Sequence, residues 1–564
     1  MKIIAFLCLL LILSINAIAH EPAFDIVEAT IDSVHSALKE NKVTVEQLIA
    51  AYLQRIQQYN LDLSRGAPIN AFVSINPSVL EDARKLDAYY KKTGKFVGPL
   101  HGIPVVLKDN LDSYDTPTTA GSLALLGSQP VQDAFLVKKL REAGAIFIGK
   151  ATMDEFADGM FAISSRTGRT GNPYNPNENP GGSSGGSAAA VNANFALIGI
   201  GTDNSGSVRI PAVFNGLYGL RPSTGLVSQS GIFPRGGLDG VAGPLTRTVK
   251  DMAIVLSVIA QIDLNDVKTQ NIPRFNSYAD RLNGNGLSGK KIGIVKKVGE
   301  LKPYEGTPEA INQIYQNFFR LLQSLGAQLV DVELPLFNND RHNNTAGEID
   351  EINTYLQSFP STRQSFVDIC QSNRSRVFGD PDDCFKYIEA TAKKNSVSYR
   401  DVLKMFSENR TYVTNMMNYH GVDALLMPIC RTGIPTYDPQ LINTWRMPLS
   451  SNTGLPSLGL VAGYTTDTHM PVGVEFIGKM YQEADLLSFA YAVEKSSPKR
   501  QVPDLTAKDP NHFFTKLSIP EFNNFITLLG YTTYNLELIN GSRALAPVKF
   551  RNIVELSIKS FPTK

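Results

Sequence analysis

Three short segments hold residues able to do chemistry. Lys108 closes the apolar run Ile103-Pro-Val-Val-Leu-Lys108. Gly181-Gly-Ser183-Ser184-Gly-Gly-Ser187 is a glycine–serine cluster, and Gly201-Thr-Asp203-Asn204-Ser205-Gly206-Ser207-Val-Arg209-Ile-Pro211 a second one. A flexible linker would not run straight into Ala188-Ala-Ala-Val and then strand-like residues, so the first cluster is not read as one. Gly181-x-Ser183-x-Gly185 matches the nucleophile-elbow pattern literally. An elbow must follow a strand, however, and Asn172-Pro-Tyr-Asn-Pro-Asn-Glu-Asn-Pro180 cannot be one. Gly144-Ala-Ile-Phe-Ile-Gly149-Lys150 misses a phosphate-binding loop, because its centre is apolar and Ala151 stands where a Ser or Thr is required. The second cluster offers the backbone N–H groups of Asn204, Ser205, Gly206 and Ser207 beside small side chains. Such a turn can aim several donors at one developing oxyanion.

Taken together, these segments resemble the amidase signature family. The resemblance extends through Thr119-Ala-Gly-Ser122, Ala143-Gly-Ala-Ile-Phe-Ile-Gly-Lys150, Met153-Asp-Glu-Phe-Ala157 and Tyr218-Gly-Leu-Arg-Pro-Ser-Thr-Gly-Leu226. It continues through Gly243-Pro-Leu-Thr-Arg-Thr248, Asn452-Thr-Gly-Leu-Pro456 and Pro471-Val-Gly-Val-Glu-Phe-Ile-Gly478, covering about residues 28–495. It implies a single large α/β/α domain on a twisted mixed sheet covered by helices, and a Ser-Ser-Lys triad. By position Lys108 is the base, Ser183 the proton relay and Ser207 the nucleophile. Ser184 supports the lysine by hydrogen bonding, and Asp203 and Arg209 brace the turn as a structural pair. Two positions depart from the family pattern. Ser205 stands where Gly is usual, and Ala151-Thr152 replaces Thr-Asn, which bears on contacts near the acyl pocket.

The implied chemistry is acyl transfer through a covalent intermediate. A lysine near pKa 10.4 is a poor base at neutral pH unless burial favours its uncharged form. The end of an apolar strand facing a glycine-rich wall can provide that burial. The expected activity is hydrolysis of a carboxamide C–N bond on small or peptide amides, since Ser122-Leu-Ala-Leu125 resembles peptide-amide-cleaving members. Alternatives are a fatty acid amide hydrolase-like enzyme, a glutaminase-type component like the glutamyl-tRNA amidotransferase A subunit, or a non-catalytic binding protein on this scaffold. No cofactor and no metal are expected: the seven histidines lack ligand spacing, and His101 reads as structural.

The elements that position these groups alternate between helix and strand. Residues 25–95 read as helical, with Thr44 and Gln47 forming a capping box ahead of Leu48, Ala51, Tyr52 and Ile56. The apolar run from Ile103 to Lys108 has the length and bounding turns of a buried strand. Asp133 is placed to cap a helix that Gly144 ends, and Ala145–Ile148 reads as a strand. Strand, helix and strand recur at 292–295, 312–325 and 328–332, which is the α/β pattern. A polar insert spans about 335–420.

The chain has 564 residues and a net charge of +1, with no long basic run. The footprint of a nucleic-acid binder is missing. Lys2, the apolar Ile3–Leu13 and Ala17-Ile-Ala19 form a signal-peptide pattern over residues 1–19, so export to the periplasm or medium is expected. The domain then runs over 25–497, followed by an extension at 498–564 rich in Phe, Leu and Asn. That tail permits membrane association without supporting it. Cys370 and Cys384 can pair in an oxidising compartment, whereas Cys430 follows an apolar run and reads as buried. Asn343, Asn373, Asn409 and Asn540 open N-x-S/T patterns.

Overall fold

The computed structural model describes residues 24–62, 64–234, 240–334, 348–375, 381–394, 399–430, 449–496 and 500–507. The signal-like segment, the tail from 508, Asn343 and Asn540 lie outside these residues. Among the described residues thirteen strands occur in chain order: β1 Phe72–Ile75, β2 Pro104–Lys108, β3 Ile146–Ala151, β4 Ile163–Ser164, β5 Gly168–Arg169, β6 Ile198–Asp203 and β7 Tyr218–Arg221. They continue as β8 Val241–Thr246, β9 Lys291–Val298, β10 Gln328–Leu334, β11 Ala424–Pro428, β12 Ser457–Tyr464 and β13 Pro471–Ile477. Eleven of them form one mixed sheet in the order β1-β3-β2-β6-β8-β7-β12-β13-β11-β9-β10, and β4 and β5 pair separately. Strands β2, β3, β6, β8, β11 and β13 are buried along their whole length. Helices therefore cover the sheet, as the large α/β/α reading requires.

The capping box on α2 (Val45–Tyr59, following α1 Ile31–Lys39) forms as expected. Thr44 accepts from the Gln47 N–H, Gln47 returns the bond, and Leu48, Tyr52 and Ile56 are buried. The helical reading of 25–95 needs one correction. Strand β1 lies between α2 and α3 (Val79–Thr93) and pairs antiparallel with β3. Four residues carry too short a period to stand out between two helices.

Asp133 does not cap α4 (Phe135–Glu142). Its carboxylate pairs with Arg141 at 2.8 Å, and Ala134 occupies the cap position. A guanidinium further along the helix competes successfully for that carboxylate. Gly144 ends α4 as expected, at φ +93, where a Cβ would lie 2.7 Å from the His101 Cα. Helix α5 (Gly185–Asn192) is buried at every position because its small side chains let it lie directly on the sheet. The 3.1 Å bond from the Gly186 N–H to the Thr152 carbonyl fixes its first turn.

After α6 (Arg209–Phe214), α7 (Val249–Ile259) and α8 (Glu309–Ser324), the insert contributes α9 Glu348–Gln357, α10 Phe366–Gln371, α11 Pro381–Lys394 and α12 Tyr399–Tyr419. Though polar on average, it has a core. Ile352, Leu356, Phe366 and Ile369 cluster with Ala120, Leu125, Phe156 and Phe233 of the central domain. Tyr355 on α9 adds a 2.6 Å hydrogen bond to Asp112, just beyond β2. A disulfide joins Cys370 to Cys384 within this cluster, and Cys430 is buried.

Helix α13 (Glu483–Ser496) leads to a short closing segment. There Arg500 reaches Glu28 and the Asn192 carbonyl, each at 3.0 Å, and Leu505 enters the main core. No helix among the described residues is long and apolar enough to cross a membrane.

Candidate active site

Strands β2 and β6 are parallel neighbours, with Leu107 opposite Ile200, so their carboxyl ends open on the same side. Ligands of α/β sheets are commonly bound outside such ends. Lys108 is the last residue of β2 and Asp203 the last of β6. The glycine–serine loop enters α5 beside them, and its Gly182–Ser183 peptide is cis. Lys108, Ser183 and Ser184 are fully buried, while Ser207 keeps 8% of its surface exposed. Of the three expected catalytic residues, the nucleophile candidate alone reaches solvent.

The Lys108 Nζ lies 2.7 Å from the Ser183 Oγ, 2.8 Å from the Thr202 Oγ1 and 3.2 Å from the Thr202 carbonyl. Three acceptors match the three donors of an ammonium, and one hydroxyl can reverse its role when the amine is neutral. Asn110 donates to the same Thr202 hydroxyl at 3.0 Å. Ser184 makes no hydrogen bond to the lysine. Its hydroxyl bonds the Thr202 carbonyl at 3.2 Å and accepts the Thr202 N–H at 3.3 Å, so its support is indirect. The Ser184 N–H donates to the Ser207 carbonyl at 3.1 Å, tying the two serine segments together. Among the described residues no direct hydrogen bond joins the Ser183 and Ser207 hydroxyls.

Asp203 organises the following turn. Its carboxylate accepts the N–H groups of Gly206 at 2.8 Å and Val208 at 3.0 Å, and pairs with Arg209 at 3.1 Å and Arg221 at 3.2 Å. These cations hold it far below the usual carboxylate range despite its burial. The Gly206 amide therefore points at Asp203 and is not available to an oxyanion, which corrects the four-donor expectation. Arg209 also meets Glu475, which accepts from Ser457 at 2.6 Å. The pair expected as a brace is thus part of a buried network spanning β6, α6, β7, β12 and β13.

Burial pushes the Lys108 amine down from 10.5 to about 7, against the opposing pull of Asp154 and Asp203. A lysine so placed is partly uncharged at neutral pH.

These positions lie inside a matched region. Residues 47–487 fit the sequence profile of the family described as Amidase. The chain belongs to the Amidase family. It is similar to the A subunit of the glutamyl-tRNA(Gln) amidotransferase of Maridesulfovibrio salexigens, with 31% identity over 492 residues, 84% of this chain and 98% of that one. Among solved structures it resembles the native peptide amidase of Stenotrophomonas maltophilia at 33% identity and a TM-score of 0.73, covering 85% and 99% of the two chains. An amidase family protein from Bacillus anthracis str. Ames matches at 32% identity and the same TM-score, with 85% and 93% covered. This chain is accordingly an enzyme of amide carbon–nitrogen bonds.

Three other positions singled out in the sequence have contacts of their own. Lys150 of the near-miss phosphate loop lies in β3 and donates to the Leu111 carbonyl at 2.6 Å and Thr118 at 2.8 Å. His101 stacks on Phe96 with centroids 4.7 Å apart, and burial lowers its pKa to about 4. Thr152, expected near the acyl pocket, is buried at the foot of α5 and bonds Thr170 at 2.6 Å.

Sequence reasoning gave no role to Thr202, Asp154, Arg221 or Glu475. The last two carried a signal: a charge inside an otherwise apolar strand indicates a buried partner.

Proposed function

We propose that this amidase is a serine amidohydrolase acting on small or peptide carboxamides, with Ser207 as nucleophile, Ser183 as relay and Lys108 as base. The observation that carries the reading is the 2.7 Å contact between a fully buried lysine amine and the Ser183 hydroxyl. Neutral Lys108 accepts the Ser183 proton while Ser183 accepts that of Ser207, whose oxygen attacks the amide carbon. In this reading the oxyanion is assigned to the turn that carries the amides of Asn204, Ser205 and Ser207. The relay then runs backward, protonating the leaving nitrogen, and water releases the acyl group by the same route. The Ser183–Ser207 bond closes when substrate fills the site, as catalytic hydrogen bonds often do.

Peptide amides are favoured by the likeness to a peptide amidase over almost that protein's whole length. The likeness to amidotransferase A subunits favours glutamine as the second candidate. Purified protein should release ammonia from dipeptide amides, with glutamine, simple primary amides and long-chain acyl amides assayed alongside. A fluorophosphonate should label Ser207, and both activities should vanish in Ser207→Ala and Lys108→Ala. Turnover that survives Lys108→Ala sinks the mechanism. Turnover of glutamine alone moves the assignment to the second candidate.

We further propose that the chain is exported, with cleavage near Ala19. The Cys370–Cys384 bridge supports this, since such bonds persist in oxidising compartments. N-terminal sequencing of protein expressed with its own leader tests it, an intact Met1 in the cytosol being the contrary result.

A further inference from the structure

Asn110 stands just beyond Lys108 and is 2% exposed. Its main chain is fixed. The Phe233 N–H donates to its carbonyl at 2.8 Å, and the Leu111 N–H closes a turn on the Lys108 carbonyl at 3.0 Å. The Asn110 Nδ2 donates to the Thr202 Oγ1 at 3.0 Å, and that same oxygen is 2.8 Å from the Lys108 Nζ. Thr202 has little freedom of its own. It lies in β6 opposite Ala242 of β8, its N–H donates to the Ser184 hydroxyl at 3.3 Å, and its carbonyl accepts from that hydroxyl at 3.2 Å. What can adapt is the direction of its hydroxyl hydrogen.

We propose that Asn110 is a positioning residue: by donating to Thr202 it turns that hydroxyl toward the Lys108 amine and so primes the base. The inference rests on the base role given to Lys108 above. A hydroxyl oxygen has two lone pairs and one hydrogen, and a carboxamide nitrogen only donates. The Asn110 amide therefore takes one Thr202 lone pair whatever the state of the lysine. An ammonium also only donates, so in the charged state two donors compete for one oxygen. A neutral amine has a lone pair of its own. The hydroxyl hydrogen can then point at Nζ while the oxygen serves the amide alone. The uncharged arrangement is the better satisfied one, at a buried place where such differences are felt strongly. Rotation of the amine then brings its lone pair to the Ser183 Oγ, 2.7 Å away.

The carboxylates acting on the amine are Asp154 and Asp203. Lys150 of β3 is turned to the Leu111 carbonyl and Thr118, and Asp109 to Thr119 and the Gly121 N–H. All four stay in place in the variants compared, so their contributions cancel.

The readout is the second-order rate of fluorophosphonate labelling at Ser207 against pH, which reports the base without full turnover. In wild type the rate should rise with a midpoint near that of the amine, about 7. Asn110→Leu keeps the volume and loses the donor, and should raise that midpoint by about half a pH unit. The same change made in Thr202→Val should leave the midpoint of Thr202→Val where it is, because the oxygen linking amide to amine is gone. A purely structural role would lower the plateau and the thermal midpoint and move neither curve along the pH axis, whereas water let in by the substitution would move both. A folded Asn110→Leu whose midpoint is unchanged or lower overturns the inference, as does an equal shift in the Thr202→Val background. Should Asn110→Leu not fold, Asn110→Ala carries the same pair of measurements. Lys108→Ala separates the two levels. Labelling that persists in it overturns the base role itself, whereas its loss together with an unmoved Asn110→Leu curve overturns only the role of Asn110.

Discussion

Burying an amine that must be able to lose its charge should leave a mark on stability, and Lys108→Met measures it. Below pH 7 Lys108 is protonated in both the folded and the unfolded chain, and the folded form carries the full burden of a buried charge. Above 10.5 it is neutral in both, and the burden is gone. At 1.36 kcal/mol for each tenfold change in affinity for the proton, a fall from 10.5 to about 7 amounts to about 5 kcal/mol. Methionine removes that burden, but it also strands the acceptors on Ser183 and Thr202, three hydrogen bonds at about 1 kcal/mol each. At pH 6 the variant should therefore be the more stable protein by about 2 kcal/mol. At pH 10 the residual burden is under about 1 kcal/mol, and the order should reverse by about 2 kcal/mol. Thermal midpoints of both proteins at the two pH values test this, because titrating groups that do not interact with Lys108 cancel in the comparison. A difference that does not vary with pH would refute the buried, depressed amine.

Two further outcomes rest on other parts of the fold. Arg221→Met removes one of two cations from the fully buried Asp203 and should cost about 3–5 kcal/mol, seen as a lowered thermal midpoint with Arg209 unable to compensate. Reduction of the Cys370–Cys384 bond should raise hydrogen exchange through α10 and α11 while strands β2 and β6 keep their protection, because the bond closes only the insert cluster; uniform loosening of the sheet would contradict that division.

How much of this could be read without coordinates depended on whether the signal was local. Pro104–Lys108 declares itself as a buried strand through its own residues, and the Thr44–Gln47 cap through a four-residue spacing. The elbow pattern could be set aside on its flank and the phosphate-loop pattern on its apolar centre and Ala151, and Lys150 lies in strand β3 rather than in a loop. What escaped was decided by competition between distant groups. Asp133 had a choice between a helix end and Arg141, and the Gly206 amide between an oxyanion and Asp203. Ser184 stands next to Ser183, yet its hydroxyl turns to the β6 backbone instead of the lysine. Strand β1 was hidden because pairing with β3, far along the chain, makes it a strand. Sequence singled out Lys108 and Ser183, which the fold brings together, more readily than it assigned the groups around them.

The contact between Arg500 and Glu28 ties the segment after α13 back to the residues ahead of α1. With that clasp in place, the chain should tolerate a cut at an exposed loop elsewhere while β2 and β6 stay side by side.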